Sequence, residues 1–115
     1  MKVACDVKGT LMGDKQTQVL KILDVLSRAG YEVTVWSNLY SYATDAVEEL
    51  NLKAEAYSKR SKSDFGFDES QYFDIAIEDD RSQTYLAAKQ FIFVDDIPED
   101  MAQVELFVKE LLEGQ

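Results

Sequence analysis

The sequence predicts an α/β domain built on a parallel sheet, and three observations lead there. Short runs of β-branched and aromatic residues alternate with longer segments whose apolar residues recur at 3.6-residue spacing. Each well-defined run is followed at once by polar or acidic residues. A length of 115 residues, 46% hydrophobic and 30% charged, suits one compact domain over 1–115. Strands that alternate with helices pair in parallel and are covered on both faces. The expected architecture is therefore a three-layer, Rossmann-like, doubly wound sheet of five parallel strands.

Taken in order, Lys2 to Val7 reads as a buried strand, led by Val3-Ala4-Cys5. Lys15 to Ala29 reads as a helix with Val19, Ile22, Leu23 and Leu26 on one face, ended by Gly30. Tyr31 to Ser37 is a second strand (Val33, Thr34, Val35, Trp36). Ser41 to Leu50 is a helix with Ala43, Ala46, Val47 and Leu50 in phase, and Lys53 to Tyr57 a weak third strand. A polar, irregular stretch runs from Ser58 to Gln71. Phe73 to Ile77 is a fourth strand, Ser82 to Lys89 a helix and Gln90 to Val94 a fifth strand. Pro98 opens the last helix, whose apolar stripe is Met101, Val104, Val108, Leu111 and Leu112.

Composition narrows the chemistry. There is no histidine, which removes histidine triads, most zinc sites and the usual general base. Cys5, the single cysteine, cannot form an internal disulfide and fits a reducing cytoplasmic compartment. Its expected role is a small buried core residue. No apolar run approaches the roughly 18 residues of a membrane span, and no leader segment is evident. The net charge of −10 repels nucleic-acid phosphates, so extended nucleic-acid binding is not expected.

The strand ends carry the chemistry. The first ends at Asp6, the second at Ser37-Asn38, the fourth at Glu78-Asp79-Asp80 and the fifth at Asp95-Asp96. In a parallel sheet these ends share one edge, where ligands bind. Converging carboxylates repel unless a proton or a cation compensates, and in a chain without histidine an oxygen-loving metal such as Mg2+ is the natural compensator.

Asp6-Val7-Lys8-Gly9-Thr10, Ser37 after the second strand, a lysine (Lys59 or Lys62) near the third and Asp79-Asp80 after the fourth resemble, in order and rough spacing, the haloacid dehalogenase-like superfamily of phosphotransferases. The short chain is similar to its capless branch. The Asp79-Asp80-Arg81-Ser82-Gln83 run is further similar to the phosphatase half of bacteriophage polynucleotide kinases. The resemblance implies that Asp6 attacks a phosphoryl group to form an aspartyl-phosphate. It implies Mg2+ held by Asp6, the Lys8 backbone carbonyl and Asp79, with Asp80 close by. It places Gly9, Thr10, Ser37 and Asn38 around the phosphate. Lys59 or Lys62 would neutralise that phosphate, with Lys59 nearer the strand end.

Lys8 departs from the pattern, because the family carries there a second aspartate that acts as general acid and base. A lysine is a cation at neutral pH and cannot serve as the base. Losing such help costs roughly 10²–10⁴ in rate. Three functions follow as expectations: a slow Mg2+-dependent phosphomonoester hydrolase, an inactive relative that binds a phosphorylated small molecule, nucleotide, metal or protein partner, and a receiver-like phosphoacceptor. The receiver fits least, since its acidic pair belongs at the first strand.

Overall fold

A computed structural model describes residues 1–114 and places five parallel strands in one sheet, in the order β3-β2-β1-β4-β5. The strands are β1 (Lys2–Asp6), β2 (Glu32–Ser37), β3 (Glu55–Ser58), β4 (Phe73–Glu78) and β5 (Ala88–Phe93). The helices among the described residues are α1 (Gln16–Arg28), α2 (Tyr40–Glu49) and α3 (Met101–Glu113). This is the Rossmann-type order 3-2-1-4-5; a receiver domain has the order 2-1-3-4-5.

The central strands are apolar on both sides, as a buried parallel strand must be, and Val3, Ala4, Cys5, Ile75, Ala76 and Ile77 are all fully buried. Alternation then sorts them. Val3, Cys5, Val35, Ile75, Ile77 and Ile92 join the apolar stripes of all three helices in one large core. Ala4, Trp36, Ala76 and Ala88 point the other way, into a smaller apolar cluster with Leu86, Phe73 and Phe91.

The expected three layers are thus reduced to two. All helices lie on one face. The other is covered by the irregular 59–72 and 79–87 connections, which are stitched together by Lys62 N–H to the Tyr85 carbonyl and Ala87 N–H to the Arg60 carbonyl. The expected Ser82–Lys89 helix is absent; a 3₁₀ turn at Arg81–Tyr85 stands in its place and β5 begins at Ala88. The cause is length. Only 79–87 joins β4 to β5, fewer than the roughly 10–12 residues that a helical crossover needs.

Pro98 also differs from expectation. The last helix starts at Met101, because the Asp100 carboxylate caps it by accepting the Ala102 N–H at 2.9 Å. Strand order reverses between β1 and β4, and the crevice beyond their carboxyl ends is where an open α/β sheet binds ligands.

Candidate active site

Asp6 is the last residue of β1 and Glu78 the last of β4. The register Ala4↔Ala76 and Cys5↔Ile77 puts these two carboxylates level on neighbouring strands, on the helix-free face. Between them lies Lys59. Its backbone N–H donates to the Ser37 carbonyl at 2.9 Å, extending the β2–β3 ladder by one residue. Its side chain then reaches past β2, with the ammonium 2.9 Å from Asp6 Oδ1 and 2.7 Å from Glu78 Oε1. Thr10, fully buried, donates its hydroxyl to Asp6 Oδ2 at 3.0 Å.

The loop after β1 holds this arrangement by close packing. Leu11 N–H returns to the Asp6 carbonyl at 3.1 Å and Met12 N–H to the Val7 carbonyl at 2.8 Å. Gly9 has φ +80, and a Cβ there would overlap the Asp79 carboxylate. Gly13 packs on the Gly9 carbonyl, so that a Cβ at 13 would lie 2.6 Å from it. The Lys8 carbonyl accepts no hydrogen bond among the described residues, which leaves it available to a ligand.

Electrostatics follow from burial. The Glu78 carboxyl is pushed up to about 7, first by desolvation and then by the charge of Asp6, against the pull of Lys59. Burial also raises Asp6, opposed by Lys59 and Thr10. For Lys59, burial alone would lower the ammonium; the hydrogen bonds and charges of Glu78 and Asp6 outweigh it and hold Lys59 above its ordinary value. Lys59 and Glu78 meet as a close ion pair at 2.7 Å, and Glu78 Oε2 has no hydrogen-bond partner among the described residues. Asp6, Glu78 and Asp79 each offer an oxygen within 4.8 Å of the others. With all three ionised, the carboxylates against one ammonium carry a formal charge of −2, a surplus that the raised Glu78 relieves by holding a proton when no cation is bound. An all-oxygen donor set with that surplus and an orphaned buried oxygen fits a hard divalent cation.

The sequence-derived candidates take different places. Asp80 lines the hollow but caps the following turn, accepting the Ser82 N–H at 2.9 Å and hydroxyl at 2.7 Å; Glu78, not Asp80, completes the three-carboxylate cluster. Lys62 bonds the Thr84 carbonyl at 2.9 Å and lies over the Phe91 ring, so Lys59 is the lysine beside Asp6. Thr10 has no group left for a phosphate, since its amide goes to the Val7 carbonyl and its hydroxyl to Asp6; it positions Asp6. The Ser37 hydroxyl, buried at the rim, accepts the Leu39 N–H at 3.4 Å, a turn-capping contact. Asn38 and Lys8 are exposed, and both line the hollow of about 630 Å³ over Asp6 and Asp79. Lys8 pairs with no carboxylate among the described residues, and Asp96 is paired with Arg81 at 2.9 Å. Cys5 is in the core with its thiol pushed up by burial.

Sequence reasoning placed Glu78 at a strand end but not in the site. Phase along each strand was readable, Glu78 with Ala76 and Asp6 with Ala4, but only the register Ala4↔Ala76 turns both carboxylates to one face. Gly13 gave no comparable signal, because its need is a contact and not a local conformation. No protein-family model matches the chain, and neither a curated protein nor a solved structure does.

Proposed function

We propose that this chain is a haloacid dehalogenase-like phosphomonoester hydrolase of the capless kind, dependent on Mg2+ and slowed by Lys8. The observation that carries the proposal is the Asp6 carboxylate at the sheet's switch point, fixed by Thr10 and Lys59 beneath an open hollow and beside Asp79. Asp6, Asp79 and the Lys8 carbonyl are the groups that would hold the cation, with Glu78 behind them. When bound, a divalent cation offsets the repulsion between a carboxylate nucleophile and a phosphate dianion.

In the first half-reaction an Asp6 oxygen forms a bond to phosphorus as the ester P–O bond breaks, and the alcohol leaves with a proton from solvent. In the second, water cleaves the aspartyl-phosphate and regenerates Asp6. Lys59 favours the ionised form of Asp6 before attack and again once inorganic phosphate has left, and it holds the side chain in place.

One observation favours a second reading, a phosphate-binding domain without turnover: the side chain at position 8 is an exposed lysine, so that position supplies no base to the intermediate. A phosphatase screen with activated aryl phosphates and Mg2+ separates the two. Lys8→Asp should raise kcat on the order of a hundredfold by restoring the acid–base group. No gain in a folded variant refutes the idea that Lys8 limits turnover. Mg2+ should raise the Tm of the parent and not of Asp79→Asn; equal stabilisation of both would mean general screening of the −10 charge and no site.

A further inference from the structure

The wall of the hollow on the α2 side is built against the usual rules of a helix start. Leu39 occupies the N-cap of α2 with no side-chain hydrogen bond to the helix, a position where Ser, Thr, Asn or Asp is strongly preferred. The first turn carries no acidic residue. Instead it presents large apolar side chains to solvent: Leu39 is 55% exposed, Tyr40 55% and Tyr42 49%. Leu39 and Tyr42 line the hollow above Asp6, whereas Tyr40 lines the separate groove beneath the 59–72 connection. Across the hollow the wall is polar, with Lys8, Asp80 and Gln83. α1 also starts without a side-chain cap, at Lys15; what sets the α2 start apart is three exposed large apolar side chains in one turn, two of them at the mouth of the candidate site, and such a cluster marks a surface that a ligand covers.

We propose that Tyr42, backed by Leu39, is a stacking wall for the organic part of the substrate. The preferred ligands are then phosphomonoesters with a flat aromatic ring one or two bonds from the ester oxygen, rather than small aliphatic or polyol phosphates. This rests on the phosphate-binding reading of the hollow above. The phosphoryl group sits over Asp6, and its substituent leaves an open, capless pocket along the side of least polarity. A tyrosine face stacks on a planar ring while its hydroxyl stays in water, a contact that an aliphatic chain cannot reproduce.

Binding of benzylphosphonate and ethylphosphonate with Mg2+ tests this without turnover, since neither carries a hydrolysable ester. Benzylphosphonate should bind the parent about tenfold more tightly, the order of one ring-on-ring stack. Tyr40→Ala, equally exposed but facing the other groove, should keep that preference, and Tyr42→Ala should lose it while still binding ethylphosphonate. Tyr42 is half exposed, so the variant's fold can be checked by its melting curve. Equal affinities in the parent, or a preference that survives Tyr42→Ala, overturn the stacking wall; if inorganic phosphate still competes, the phosphate site itself stands. Failure of both phosphonates and inorganic phosphate to bind overturns that site and the stacking wall with it.

Discussion

Replacing Lys59 with methionine removes one charge and keeps most of the packing of the stem. It leaves two carboxylates facing each other, Asp6 with its side chain 7% exposed and Glu78 with 1%. Removing one partner of a buried ion pair costs about 3–5 kcal/mol. Proton uptake sets a ceiling on that cost. Without the pull of Lys59, Glu78 rises above about 7 and is the first to take up a proton, which leaves Asp6 as the group whose neutralisation sets the cost. From an ordinary value near 3.9, protonating it costs about 4 kcal/mol at pH 7 and about 1.5 kcal/mol at pH 5. Lys59→Met should therefore lose about 3–4 kcal/mol at pH 7 and no more than about 1.5 kcal/mol at pH 5. For 115 residues the loss at pH 7 is a fall in Tm of roughly 12–16 °C. Thermal and urea melts in EDTA at both pH values measure it. A loss of the same size at both, or one below about 1 kcal/mol at pH 7, would refute the buried-triad account.

The parent's own stability should depend on pH in a defined direction. Glu78 binds its proton more tightly folded than unfolded, so the folded state holds more protons between 4.5 and about 7, and metal-free stability should fall as pH rises through that window. Asp6, raised by burial, adds a loss of the same sign above its ordinary value of 3.8, whereas Asp64, Asp68 and Asp80, lowered by hydrogen bonds, act only below 3.8. Glu78→Gln should reduce the slope there and leave the part due to Asp6; an unchanged slope would assign it to other groups. Gly13→Ala sets a methyl 2.6 Å from the Gly9 carbonyl and should cost about 1–3 kcal/mol in denaturant melts, with a weaker Tm response to Mg2+. A Gly13→Ala protein as stable as the parent would show that the loop relaxes freely.

Much of the sheet was legible because its signals are local. Val3-Ala4-Cys5 and Ile75-Ala76-Ile77 are continuous apolar runs that only a strand buried on both faces tolerates. The 3.6-residue stripes of α1 and α3 mark their buried faces directly. The segment 82–89 misled because its composition permits a helix, while the connection of 79–87 is too short for one.

By itself, then, the sequence determined the alternation of strands and helices, the carboxylates at the ends of β1 and β4, and the cation at position 8. These are properties of residue type and spacing along the chain. The tertiary structure alone decided which groups meet. Strand register brought Glu78 level with Asp6. The path of the chain after β3 selected Lys59 over Lys62, and a local turn took Asp80 out of the cluster. Such pairings depend on contacts tens of residues apart in the sequence, and on which polar groups find closer partners first. Neither is encoded in any one segment.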